Sequence, residues 1–289
     1  MTSLDKYYFD EKAADRVVTF IERHISHVKG EKAGEKFILE EWQKEDIIRP
    51  LFGWKNKETG LRKYQTCYIE LPRKNGKSSL SAGIALYLLF ADGEKGAEVY
   101  SAAGDRQQAG IVFEIAKSMA LNDPQIKANC KLFKNSIVHE KSNSFYKAIS
   151  AEASTAHGFN ASGIIFDELH VQPNRDLWDT LTTSTGARKS PLTIAITTAG
   201  YDKNSICWEV HEYAMKVKEG TIKDESFLSC IYAADPEDDF MLEETWKKAN
   251  PGFGTIVKKE YLEKEAKKAQ KVVSYENTFR RLHLNQWTT

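Results

Sequence analysis

The 289-residue sequence has no apolar run long enough to cross a membrane. Its longest, Ile84 to Phe90, holds about seven residues where a spanning helix needs about twenty. The opening Met1-Thr2-Ser3-Leu4-Asp5-Lys6 lacks the apolar stretch of a signal peptide, so neither secretion nor a membrane partner is expected. Cysteine is scarce: Cys67, Cys130, Cys207 and Cys230 are widely spaced and form no zinc pattern. They read as reduced, mostly buried thiols of a cytosolic protein. His139, His157, His170, His211 and His283 show no ligand spacing either. There is no low-complexity linker and no internal repeat. Net charge is missing too, with 41 basic residues against 41 acidic ones, which removes any global electrostatic case for a nucleic-acid partner. What remains, with 41% apolar content, suffices for one large α/β domain and a smaller subdomain.

The charge is unevenly placed. From Lys247 to Arg281 ten basic residues face four acids, whereas Asp235 to Glu244 holds six acids and no base. The basic stretch fits either a grip on DNA phosphates or a solvated helix face, since Glu260–Lys264 and Glu263–Lys267 have ion-pair spacing. The solvated face is the better supported of the two. Asp235-Pro236-Glu237-Asp238-Asp239 reads as a solvated turn, because consecutive acids on one turn do not converge on a metal.

Against this background stands Leu71-Pro72-Arg73-Lys74-Asn75-Gly76-Lys77-Ser78. A short β-prone run, Tyr68-Ile69-Glu70-Leu71, precedes it. Ser79-Leu80-Ser81-Ala82-Gly83-Ile84 follows, turning apolar as a buried helix does. Strand, tight loop ending in Gly-Lys-Ser, then helix is the context of a phosphate-binding loop. The loop backbone between Pro72 and Ser79, through its N–H groups, and the positive end of the helix can wrap a polyphosphate. Lys77 would reach the β- and γ-phosphates, and the Ser78 hydroxyl would ligate magnesium. Leu71 stands where the first glycine of such loops is usual.

About ninety residues on, Gly163-Ile164-Ile165-Phe166-Asp167-Glu168 is an apolar strand ending in two acids. Paired with the loop, Asp167 takes the magnesium role and Glu168 polarises water. A residue to orient water suits a hydrolase better than a kinase. A third strand, Leu192-Thr193-Ile194-Ala195-Ile196, ends in Thr197-Thr198-Ala199-Gly200, whose hydroxyls can sit beside a γ-phosphate.

The order and wording of these segments (Trp42-Gln43, PRKNGKS, IIFDELH, ITTAG) resemble the large terminase subunit of tailed bacteriophages, from about residue 35 to the end. The resemblance implies ATP and Mg2+ as cofactors and double-stranded DNA as the moved partner. It implies a portal protein and a small terminase subunit as further partners, a homo-oligomeric ring, and the procapsid's portal vertex in the host cytoplasm as location. It implies that Gln43 reads the adenine, that Arg73 acts on the γ-phosphate, and that Thr197 and Thr198 couple hydrolysis to motion. Many members carry an Arg-Gly pair upstream of the acids as a trans-acting finger. Here His157-Gly158 stands there, and histidine cannot make arginine's planar fork. Arg106, Arg175 and Arg188 are unranked substitutes, each read first as an ordinary surface arginine. The family's nuclease acids are not found after the third strand, so the sequence reads as an ATPase region ending before its nuclease.

The element pattern predicts helices over 15–28, 37–49, 79–90, 106–121, 175–184 and 205–218, with strands at 68–71, 98–102, 136–139, 145–150, 164–166, 192–196 and 227–233. Further helices are expected near 243–249 and 258–271. Such alternation predicts an α/β fold with a mostly parallel sheet flanked by helices, and the motifs with the resemblance imply that it is a P-loop NTPase of the RecA-like (ASCE) type. An ATPase core over 1–200 and a small C-terminal lid over 201–289 are expected. Two alternatives stay open: a phosphate-loop helicase or repair ATPase, and a docking module that binds nucleotide without hydrolysing it.

Overall fold

In the computed structural model, residues 6–151 and 158–288 are described. The strands are β1 (Tyr7–Phe9), β2 (Trp54–Asn56), β3 (Thr66–Glu70), β4 (Glu98–Ala103), β5 (Lys131–Leu132), β6 (Ser136–His139), β7 (Ser144–Ser150), β8 (Gly163–Asp167), β9 (Leu192–Thr197) and β10 (Phe227–Ile231). β1 and β2 make a small antiparallel ribbon. The other eight form one sheet in the order β10-β3-β9-β8-β4-β7-β6-β5. It is parallel from β10 to β7 and antiparallel at the β7-β6-β5 edge. β8 and β9 are buried at every position, as central parallel strands covered on both faces must be.

The helix after the loop, Lys77–Phe90, is apolar all round and almost wholly buried. Its N-cap, Gly76, sits at φ 79° and offers no side-chain cap. The first-turn N–H groups are thus left for an outside acceptor. Helix Arg106–Asn122 is instead capped by Asp105, which accepts from the Gln108 N–H at 2.8 Å. Asp123 stops it and caps the next helix, Pro124–Ala128.

Several elements differ from expectation. The first helix runs over Glu11–His24 because Asp10 caps it and Ile25 is extended. The segment expected as one helix over 37–49 is extended at first, then winds through a wide π-turn at Gln43–Ile48 into Arg49–Gly53. A final helix, Val273–Leu284, was hidden by its β-branched start. The expected boundary at residue 200 does not coincide with the boundary between cores. β10 completes the main sheet beside β3, and helix Ile206–Lys218 packs into the second core. A separate third core gathers Ala234, Trp246, Leu262, Ala266 and Phe279.

One close approach locks the segment after β8 to the end of β4. A Cβ on Gly104 would lie 2.5 Å from the Val171 carbonyl oxygen. Backbone cannot yield as a flexible side chain can, so Gly104→Ala should destabilise the fold by about 1–3 kcal/mol, read as a lower midpoint in urea unfolding. An unchanged midpoint would mean that this contact does not constrain the chain.

Candidate active site

Strand register brings the motifs together. Glu70 at the end of β3 pairs with Thr197 of β9, and Ile196 of β9 pairs with Asp167 of β8. Three neighbouring strands therefore end level. Neighbours lie about 4.8 Å apart, so the loop after β3 and the acids after β8 are separated by roughly 10 Å.

Lys77 fills that interval. It is 6% exposed, and its Nζ donates to the carbonyls of Leu71 and Pro72, both at 3.1 Å, and to Thr198 Oγ1 at 2.7 Å. Burial pulls its ammonium below the ordinary lysine range, and the charges of Glu168 and Asp167 oppose that pull. Lysine and acid pair thus meet in one electrostatic site, with Thr198 between.

The two acids are driven apart. Burial, and then the neighbouring Glu168 charge, raise Asp167 to about 7. Glu168 feels burial too, but the hydrogen bond from His170 and the charge of Lys77 outweigh it and hold the carboxyl at about 2. Asp167 Oδ1 is buried without a hydrogen-bond partner, and Ser78 lies in the first turn of the uncapped helix. Oxygen donors of this kind fit a hard cation. Among the described residues no group of three or more His, Cys, Asp or Glu could hold a metal. A cation here would rest on one carboxylate, a hydroxyl, phosphate oxygens and water, as magnesium does.

The rest of the loop is braced from the C-terminal subdomain. Asn75 donates to Asn250 Oδ1 at 2.8 Å and accepts from the Gly252 N–H at 3.2 Å. The Arg73 N–H donates to the Leu282 carbonyl at 2.8 Å, while the Arg73 side chain is exposed. Lys74 is exposed with φ 72°, and Ser79 is half-buried. Gln43 is fully buried. Its Oε1 accepts from the Glu40 N–H at 3.0 Å, and its Nε2 has no partner. A Cβ on Gly76 would lie 3.9 Å from that Nε2 and 3.7 Å from Ile256 Cδ1. A free amide donor thus flanks the loop.

Two residues escaped the sequence reading. Glu70 is 0% exposed directly before the loop, and its carboxylate accepts from Tyr68 at 2.5 Å, from Asn285 and Trp287 at 3.2 Å, and hydrogen-bonds His211 at 2.9 Å. A charge inside an apolar strand was the available signal. His170, the histidine of IIFDELH, contacts both Glu168 and Thr197. Among the arginines, Arg188 is not a surface residue: it binds the carbonyls of Asn160 and Gly96 and the carboxylate of Glu94. Arg175 is exposed and pairs with Asp179 and Glu209. His157 and the Arg106 side chain lie outside the described residues. The basic stretch is laced with local pairs, including Lys267–Glu263, Lys247–Glu243 and Arg280–Glu276, and Lys248 neutralises Asp238 in the acidic turn.

Opposite shifts of the two acids give the stability a signed pH dependence. Asp167, at about 7 folded against an ordinary 3.8, contributes stability below pH 3.8 that is lost as pH rises through 7. Glu168, at about 2 against 4.5, contributes stability above pH 4.5 that is lost only on acidification through 2. Of these two, only Asp167 acts between 4.5 and 7. Urea unfolding of the nucleotide-free protein should show a declining limb there, and Asp167→Asn should flatten it. A limb unaltered in that variant would remove Asp167 as its source.

The sequence model of the family described as "Terminase large subunit, ATPase domain" matches residues 41–216. The large terminase subunit of Enterobacteria phage HK97 is 31% identical over 277 residues, 94% of this chain and 53% of that protein. The crystal structure of the HK97 large terminase superposes with a TM-score of 0.82 at 30% identity, covering 95% of this chain and 55% of the other. The large terminase of a thermophilic bacteriophage in complex with ADP shares the fold at a TM-score of 0.50 and 14% identity, over 78% of this chain and 49% of that one. The chain thus spans about half the length of the relatives it matches. With the loop lysine, the acid pair and the threonines gathered at the carboxyl ends of three neighbouring strands, this chain belongs to the terminase large subunit family, through its ATPase domain.

Proposed function

We propose that this chain hydrolyses ATP with magnesium and that the hydrolysis moves double-stranded DNA into a procapsid. The observation that carries the reading is the buried Lys77 ammonium, bonded to Thr198 at 2.7 Å and flanked electrostatically by both acids. A lysine so placed has a use for a polyphosphate. Lys77 would leave the Leu71 and Pro72 carbonyls to hold the β- and γ-phosphates, while the free N–H groups of the helix start bind them from below. Arg73, exposed at the loop rim, adds charge at the γ-phosphate. Ser78 and Asp167 hold magnesium, which when bound neutralises phosphate charge. Glu168, held ionised, orients and polarises water for in-line attack. Gln43, through its unpartnered Nε2, reads the adenine. Thr197 and Thr198 pass the loss of the γ-phosphate towards residues 234–288. A thermophilic phage's large terminase of the same fold is a complex with ADP, which supports a nucleotide as ligand. Portal protein, small terminase subunit and further copies of this chain are the proposed partners at the portal vertex in the host cytoplasm.

Glu168→Gln should bind ATP as the parent does yet release no phosphate; normal turnover in that variant would contradict its assignment. Lys77→Ala should lose nucleotide binding as well, by roughly 100-fold or more if a fully desolvated phosphate contact is removed. Unchanged affinity, measured by titration with a fluorescent ATP analogue, would count against the lysine.

A further inference from the structure

The acid assigned to water does not stand free. Glu168 sits at φ 51°, ψ 55°, in the left-handed region, which turns it out of the line of β8. Its Oε2 lies 3.1 Å from His170 Nδ1. The same Nδ1 lies 3.0 Å from Thr197 Oγ1. Thr197 Oγ1 also accepts from the His170 backbone N–H at 3.1 Å and donates to the Thr198 carbonyl at 3.0 Å. Its proton is thereby committed, so Thr197 meets Nδ1 as an acceptor. A carboxylate is an acceptor as well. Nδ1 must then carry a proton, which it gives to Thr197 Oγ1, while Glu168 Oε2, buried without a hydrogen bond of its own, lies 3.1 Å from the same nitrogen and faces the polarised N–H.

The linkage continues past Thr197. Thr198 Oγ1 takes the 2.7 Å bond from Lys77. Glu168, His170, Thr197, Thr198 and Lys77 therefore form one connected bracket around the place assigned to the γ-phosphate. The His170 side chain is 11% exposed, so the ring has little room to turn. Other polar and charged groups facing this bracket are Asp167, Arg73 and Cys207, whose thiol reaches Thr197 Oγ1 at 3.8 Å.

We propose that His170 is a positioning residue, whose Nδ1–H fixes the Glu168 carboxylate to the end of β9. The water-activating acid and the strand that contacts the phosphate-gripping lysine then move as one unit. This rests on the assignment of Glu168 made above. Nothing in the histidine's sequence spacing announces it.

Steady-state ATP hydrolysis by the wild type, His170→Ala, His170→Asn and Thr197→Val tests the proposal. Misplacing a reacting group by about an ångström costs on the order of 100-fold, so His170→Ala should lose roughly 10- to 100-fold in kcat while KM and analogue binding hold. Asparagine offers an N–H close to the Nδ1 position and should recover most of that loss. Thr197→Val should cost less in the His170→Ala background than in the wild type, since the two share one linkage although the Thr197 hydroxyl makes other bonds as well. An unchanged kcat in His170→Ala, a loss confined to KM, an asparagine variant no better than alanine, or losses that multiply would each overturn it. Nitrogen-15 spectra of labelled histidine give a readout independent of turnover. The His170 Nδ1 resonance should be that of a protonated nitrogen and should shift in Glu168→Gln; no shift would overturn the proposal. A wild type that hydrolyses no ATP counts against the proposed function alone, and the spectra still decide this point. Should His170→Ala fail to fold, the asparagine variant and Thr197→Val carry the comparison.

Discussion

A positive charge buried at the mouth of a parallel sheet constrains everything around it. Taking an ammonium out of water costs several kcal/mol even after the protein relaxes. The Lys77 ammonium is 6% exposed with three oxygen acceptors inside hydrogen-bond reach. Two carboxylates on the next strand but one supply opposing charge. That arrangement requires β3, β9 and β8 to be neighbours in register, and it requires the loop to turn back over its own strand. The turn is made with left-handed backbone at Lys74 and Gly76, the second of which glycine adopts freely. The absence of a side-chain cap at Gly76 completes the device, since a capped helix would already have spent the N–H groups that an anion needs.

Beneath the loop lies a second buried charge with a different purpose. Glu70 is saturated by partners from β3, from helix Ile206–Lys218 and from residues 285–287. Asn285 also accepts from the Ala199 N–H at 2.8 Å. The strand before the loop, the segment after the threonines and the end of the described chain therefore share one polar cluster. Above the loop, Asn75 and Arg73 are tied to Asn250, Gly252 and Leu282. The C-terminal subdomain thus holds the loop and the end of β9 from two sides, an arrangement that coupling of hydrolysis to motion would need.

Much of this was legible because motifs are local. The phosphate loop, the acids ending β8 and the threonines ending β9 declare themselves within eight residues each, and alternating apolar segments fix the α/β class. What stayed hidden depends on distant partners. Glu70 looks like a flaw in a strand until His211, Asn285 and Trp287 are folded onto it from 141, 215 and 217 residues away. Arg188 looks like a surface residue until Glu94 and Gly96 close around it. Gln43 was expected on a regular helix, whereas the chain makes a π-turn there. The β10 strand carries no mark of whether it belongs to the main sheet or to the smaller unit, because an edge strand's neighbour is a tertiary fact.

The central claim is that one triphosphate is gripped jointly by Lys77 and the acid pair. A crystal structure of the chain with a non-hydrolysable ATP analogue and magnesium tests it most directly. The account predicts the γ-phosphate between the Lys77 ammonium and Glu168, the metal on Ser78 and Asp167, and Lys77 withdrawn from the Leu71 and Pro72 carbonyls. Nucleotide bound elsewhere, or Lys77 still seated on those carbonyls with the nucleotide in place, would contradict it.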